Sequence, residues 1–311
     1  MMKFFASTMF LVFSLLMTGC ASIENKLTDW AVGAERSMAD LQLKQITAGE
    51  FTTPYLEGGQ GQTVFLIHGF QSNKDIWIRF ARELTRQYHV IAIDLPAHGD
   101  SNILMDKSYS ISEQSRRVVA IMEKLKLTQP VHVMGHSMGG AIALHVAVTA
   151  PDHIKSLALL NAAGVQSPVP SELSRRNQRG ENPLIVRNDQ EYKDMLAFSM
   201  SDAPYIPSPL ISSFTRIAIA REPIATKIYQ EIADPGTWLN PEEALPKIKV
   251  PTLVIWGDQD KVLDVSSTTV FKRLLPQSQV VIFKDVGHAP QLERTKETAQ
   301  AYATFLATVK P

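Results

Sequence analysis

Short apolar runs alternate with amphipathic stretches along most of this chain. Residues 63–67, 90–93, 131–134, 154–160, 251–257 and 279–283 are mostly apolar and partly β-branched. Runs of this length suit strands buried on both faces, as in a parallel sheet. Between them, apolar residues recur at helical spacing. Ile76, Trp77, Phe80 and Leu84 do so within 74–88, and Ile111, Val118, Ile121, Met122 and Leu125 within 110–126. Residues 138–150 are apolar on most faces, and helices are also predicted over 265–275 and 292–308. Strand–helix–strand alternation predicts an α/β fold: a mostly parallel central sheet flanked by helices.

The alternation breaks between residues 165 and 245. Prolines such as Pro168, Pro183, Pro204, Pro209, Pro223 and Pro241 punctuate short amphipathic stretches there, and no strong strand signal remains. One sheet domain in two pieces, 49–164 and 246–311, interrupted by a helical cap over 165–245, accounts for this pattern. Residues 20–48 are polar-amphipathic, with Leu41, Leu43 and Ile46 as anchors, and read as a tether with an early helix. No repeat of 20–50 residues is visible, which argues against solenoids and propellers.

The first 19 residues have a different character. Lys3 is their single charge, Phe4 to Met17 is an apolar stretch, and Thr18-Gly19 precedes Cys20. A basic start, a short apolar core and small residues at its end describe a secretory signal. The stretch is short for a membrane-spanning helix, which needs about 20 apolar residues. Cys20 is the sole cysteine, so no intramolecular disulfide is expected. The segment resembles a bacterial lipoprotein signal, with cleavage before Cys20 and lipid on its thiol; Met17 departs from the usual Leu. That resemblance implies an exported protein anchored to the membrane by its N-terminal lipid. With Ala21 second, it implies the periplasmic face of the outer membrane in a Gram-negative host.

Overall composition is that of a globular protein, 45% hydrophobic and 20% charged. The formal net charge is zero, so no broad basic field exists to hold nucleic acid. Neither H-E-x-x-H nor C-x-x-C nor a phosphate- or dinucleotide-binding glycine loop occurs. No metal and no cofactor is implied. Oligomeric state leaves no trace in the sequence.

Gly135-His136-Ser137-Met138-Gly139 fits G-x-S-x-G, after a predicted strand and before a predicted helix. There a sharp turn exposes a nucleophilic serine above the sheet. A hydroxyl needs a base beside it, and only His145, His153 and His288 follow in the chain. His145 falls in the apolar helix and His153 at a helix-to-strand turn. His288 follows the last strand, in Asp285-Val286-Gly287-His288-Ala289-Pro290, at the carboxyl edge where α/β sheets bind ligands. It is the expected general base. The acid must orient the imidazole and stabilise its positive charge. Asp258 and Asp260, after the strand ending in Trp256-Gly257, both qualify by position; Asp264 and Asp285 are weaker outsiders. The oxyanion needs two backbone donors. They are expected from Met138, directly after the nucleophile, and from Phe70, in the loop after His68-Gly69. His68 itself is read as structural, as is Asp94-Leu95-Pro96-Ala97-His98-Gly99-Asp100-Ser101.

Together, HGF after the first strong strand, DLPAHGDS, GHSMGG, WGDQD and DVGHAP resemble the capped α/β-hydrolases, over residues 50–308. Within that family the chain looks like the lipoprotein-type bacterial lipases and esterases of the family V group. Asn182-Pro183-Leu184 and Ala203-Pro204-Tyr205-Ile206-Pro207 contribute to that look. The resemblance implies the α/β-hydrolase fold, Asp260 as the triad acid, and triacylglycerol lipase or carboxylesterase activity on a small-molecule or lipid ester. Ser137 argues against the dehalogenases and epoxide hydrolases of the fold, which carry Asp there. Other serine chemistry of the fold (C–C bond hydrolase, perhydrolase or thioesterase) and a non-catalytic binding protein are the alternatives. Met195, Phe198, Met200, Tyr205, Ile206 and Phe214, in the cap, are the candidate acyl-pocket residues.

Overall fold

The structure, a computed structural model, describes residues 24–234, 236 and 238–310. Cys20 and the apolar segment before it lie outside them. Helix α1 (24–38) leads into strands β1 (Leu41–Ala48), β2 (Phe51–Gly58) and β3 (Thr63–Ile67). A 3-10 turn at Lys74–Trp77 runs into α2 (Ile78–Arg82), followed by β4 (His89–Ile93), α3 (Ile111–Lys124), β5 (Val131–His136), α4 (Met138–Thr149) and β6 (Ile154–Leu160). Five helices come next: α5 (Glu172–Gln178), α6 (Asp189–Ser199), α7 (Ser208–Ala220), α8 (Glu222–Ala233) and α9 (Pro241–Ala244). Strand β7 (Thr252–Gly257), α10 (Ser267–Leu274), β8 (Gln279–Phe283), α11 (Pro290–Glu293) and α12 (Thr295–Leu306) complete the order.

The strands form one eight-stranded sheet in the order β1-β2-β4-β3-β5-β6-β7-β8. From β4 to β8 every pairing is parallel; β1 and β2 pair antiparallel with each other, and β2 with β4. Alternation along each parallel strand splits the core in two. Phe65, Ile67, Val133, Leu159 and Trp256 pack on the face covered by α3, α4 and α10. Val64, Leu66, Met134, Leu160 and Ile255 pack on the other, against α2 and α12. Parallel strands buried on both faces are what continuous apolar runs require. Helix α4 is buried along most of its length, as its all-round apolar sequence demands.

The hairpin β1–β2 departs from the sequence reading, which placed no strand before residue 63. Leu41, Leu43 and Ile46 lie on a strand, not on a tether or helix. The cause is position at the sheet edge. Only Leu41 of β1 is buried and Leu43 is 52% exposed, so the strand carries little apolar signal. Pro54 sits inside β2, and a proline in a run weakens a strand assignment. The prolines of the 165–245 region interrupt less than they suggest. Pro209, Pro223 and Pro241 occupy the first or second position of α7, α8 and α9, where a missing N–H costs nothing.

One buried charge cluster fixes the loops above the sheet. Lys74 is fully buried, with Nζ 2.9 Å from Asp94 Oδ2 and 2.8 Å from Asp100 Oδ2. Asp94 also accepts the backbone N–H groups of Lys74 and Asp100. A buried carboxylate needs this degree of pairing. The cluster clamps the loop after β3 to the loop after β4, at the edge where the candidate site lies.

Candidate active site

Strand β5 ends at His136 and α4 begins at Met138, so Ser137 alone makes the turn. Its backbone sits at φ 54° and ψ −121°, a sparsely populated region that costs about 1–3 kcal/mol. The surroundings enforce it. Ser137 N–H donates to Leu160 O at 3.0 Å, and Ala163 N–H donates to Ser137 O at 3.0 Å. Flanking glycines are a steric necessity. A Cβ at position 135 would lie 2.2 Å from Gly139 O, and one at position 139 would lie 2.4 Å from His68 O. The positive end of the α4 dipole therefore points at the Ser137 side chain's surroundings, where it favours negative charge.

His288 and Asp260 meet at the same edge of the sheet. His288 Nδ1 lies 2.8 Å from Asp260 Oδ2, and both residues are buried. Asp260 is heavily held: Oδ1 accepts the N–H groups of Val262 and Leu263, and Oδ2 accepts Asn161 Nδ2 at 2.7 Å. Asp258 does other work; its Oδ1 accepts the Asp285 N–H and ties the loop after β7 to the loop after β8. Asp264 accepts the Ser266 N–H in a local turn. The bridge to Ser137 is its neighbour His136. The His136 ring lies 4.8 Å from the His288 ring, centroid to centroid, and its Nε2–H donates to His288 O at 2.8 Å. Burial, and then the adjacent His288, push the His136 imidazole down to about 3, so it stays neutral. Ser137 Oγ makes no hydrogen bond among the described residues. Such contacts in a free enzyme are often long and tighten around substrate.

Met138 N–H is the first amide of α4 and has no intrahelical acceptor. The loop after β3 comes close to the serine: a Cβ on Gly69 would fall 3.0 Å from Ser137 Cβ, and Phe70 follows Gly69 in that loop. His68 holds that loop. Leu95 N–H donates to His68 Nε2 at 3.0 Å, which leaves Nδ1–H to donate to Gly69 O at 2.7 Å. With both nitrogens bonded to backbone and the ring fully buried, burial drives its pKa well below the usual histidine range. His145 bonds Ser115 between α4 and α3, and His153 lies in the 3-10 turn before β6.

Comparison with known proteins decides the family. A family model described as alpha/beta hydrolase fold matches residues 62–189 and 212–295. The chain belongs to the α/β-hydrolase fold family. It is 37% identical to "Lipase 3" of Moraxella sp. (strain TA144) over 94% of this chain and 95% of that one. It is 35% identical to "Lipase 1" of Psychrobacter immobilis over 94% of each. Among solved structures it resembles a bacterial membrane phospholipase A, with a TM-score of 0.90 and 38% identity over 96% of this chain and 98% of that one.

In this α/β-hydrolase a cavity of about 460 Å³ opens beside Phe70. Apolar residues of α6, α7 and α8 form one wall, among them Tyr192, Phe214, Ile217, Ile224 and Ile228. Helix α1 contributes Thr28, Val32 and Arg36, and Phe70 and His98 lie on the core side. Ser137 and His288 do not line it; Phe70, whose ring meets those of His98 and Tyr229, does. Of the six residues expected to line an acyl pocket, Phe214 lines this cavity. Tyr205 is 87% exposed, and Phe198 packs against Leu173 and Val262. Met195, Met200 and Ile206 also lie outside the cavity lining. These residues sit on the far end of α6 and the stretch after it, whereas the α7–α8 pair carries the wall. Three residues beside Ser137, Asp260 and His288 escaped the sequence reading: His136, Asn161 and Glu293. The available signal for Asn161 was an isolated polar residue directly after the apolar run of β6, where it adopts φ 43°.

Proposed function

We infer that Ser137, His288 and Asp260 act as nucleophile, general base and acid of this carboxylic-ester hydrolase. The observation that carries the assignment is the His288–Asp260 hydrogen bond of 2.8 Å beside a strained serine at the sheet edge. Ser137 Oγ attacks the ester carbonyl while His288 Nε2 takes its proton. Asp260 holds the Nδ1–H tautomer and stabilises the imidazolium. The N–H groups of Phe70 and Met138 receive the oxyanion, where one donor contributes about 3 kcal/mol. The alcohol leaves with the proton from His288, and water hydrolyses the acyl-enzyme through the same base.

A fluorophosphonate probe tests the assignment directly: peptide mapping should find the adduct on Ser137, and an adduct on another residue rejects it. The cavity beside Phe70 supports an acyl chain as the occupant. Each methylene buried there contributes about 0.8 kcal/mol, or roughly fourfold in kcat/KM. A series of p-nitrophenyl esters should therefore rise steeply from acetate until the cavity is filled. A flat profile removes the acyl pocket from this region.

Lipidation of Cys20 and attachment to a membrane are part of the same proposal. The N-terminal sequence supports it, as does α1, which begins a few residues later and leaves Leu27, Met38 and Trp30 exposed, Trp30 at 71%. Aromatic and aliphatic side chains of this kind suit a membrane interface. Cys20→Ala should move the protein from the membrane to the soluble fraction or block its processing. Unchanged fractionation, with no mass shift from lipid on the wild-type chain, refutes lipidation.

A further inference from the structure

We infer that Glu293 is a positioning residue for His288, holding the base loop and the segment after α6 to one carboxylate; this rests on the triad reading above. Glu293 is buried at the end of α11. Its Oε2 accepts the N–H of Gly287 at 2.9 Å, and its Oε1 accepts the N–H of Ala289 at 3.1 Å. Those amides stand on either side of His288. Oε2 also accepts the N–H groups of Ser201 at 2.8 Å and Asp202 at 3.1 Å, beyond α6. The remaining amide of the loop, His288 N–H, donates to Ser199 O at 2.7 Å. Three consecutive amides around the base are thus fixed, two by Glu293 and one by the same segment that Glu293 binds.

The chemistry explains why a carboxylate stands there. Two ionised oxygens offer about four acceptor sites and no donor, and four N–H groups point at them. Bonds to an ionised acceptor are about twice as strong as neutral ones. Within the four-residue helix α11, Glu293 also lies in the first turn and its Oε1 caps the N-cap amide of Ala289, but the bonds to Gly287, Ser201 and Asp202 reach beyond what that cap requires. A glutamine would turn an NH2 group toward N–H donors and release one flank of the loop. The imidazole, also bonded to Asp260, would then shift relative to Ser137. A misplacement of about 1 Å costs on the order of 10²-fold in rate.

The test compares Glu293→Gln and Glu293→Asp with the wild-type chain on p-nitrophenyl butyrate, with folding checked by thermal melting. Glu293→Asp keeps the charge but is too short to reach all four amides. The expected result is a folded protein with kcat lowered about 10²-fold, KM within about threefold, and fluorophosphonate labelling of Ser137 slowed in parallel. Wild-type kcat in either folded variant overturns the inference. So does failure of both variants to fold, which would make Glu293 a residue of stability alone. Ser137→Ala run alongside separates the two readings. If that variant still hydrolyses ester, the triad assignment fails first. If it is inactive while the Glu293 variants are normal, only the positioning role fails.

Discussion

Ser137→Ala should abolish ester hydrolysis, lowering kcat by about 10⁶-fold, the scale of nucleophile loss in a serine triad. Residual turnover should be about 10³-fold above water, supplied by the oxyanion donors and binding alone. The fold should not notice. Ser137 Oγ has no hydrogen-bond partner among the described residues to lose. Alanine keeps the Cβ, so the strain at φ 54° is unchanged. The elbow is held by backbone bonds to Leu160 and Ala163, which the substitution leaves intact. Stability should stay within about 0.5 kcal/mol of wild type. Steady-state hydrolysis of p-nitrophenyl butyrate beside a thermal melt checks both halves. An intact melt with wild-type turnover would take the nucleophile away from residue 137.

What the sequence discloses follows from the range of the forces involved. G-x-S-x-G is legible because its constraint is local: the glycines at 135 and 139 answer clashes within one turn and with the adjacent strand. The apolar runs at 63–67 or 154–160 are legible because strands buried on both faces have no polar side to hide. The hairpin β1–β2 is not, because an edge strand such as Leu41–Ala48 has one buried residue to betray it. Asp258 and Asp260 share a loop, and nothing in their spacing separates them. What separates them is the loop after β8, since Asp285 N–H engages Asp258 and leaves Asp260 to His288. The cavity wall was the least legible part. Whether Phe214 or Phe198 faces it depends on how α6, α7 and α8 pack, and amphipathic stretches with apolar residues on several sides leave that open. Glu293 was invisible for a related reason: its partners are backbone amides, which carry no residue signature.

That separation of the two aspartates makes the next largest effect. Asp260→Asn should lower kcat about 10⁴-fold, whereas Asp258→Asn should leave it within about threefold. The donors around position 260 decide the outcome. Val262 and Leu263 N–H point at one oxygen, and Asn161 Nδ2–H and His288 Nδ1 at the other. An asparagine must keep its carbonyl toward the two fixed backbone amides. Its NH2 then faces Asn161 Nδ2–H and the His288 ring. The imidazole can meet an NH2 only by making Nδ1 the acceptor, which moves the proton to Nε2. A protonated Nε2 cannot accept the Ser137 proton, so the base is present in the wrong tautomer. At position 258 the single bond is accepted from Asp285 N–H, and an asparagine oxygen replaces it without conflict. Steady-state kinetics of both variants, with fluorophosphonate labelling rates as a second readout, check the pair. A larger loss at 258 than at 260 would transfer the acid's role to Asp258, and equal small losses would remove a carboxylate from the mechanism.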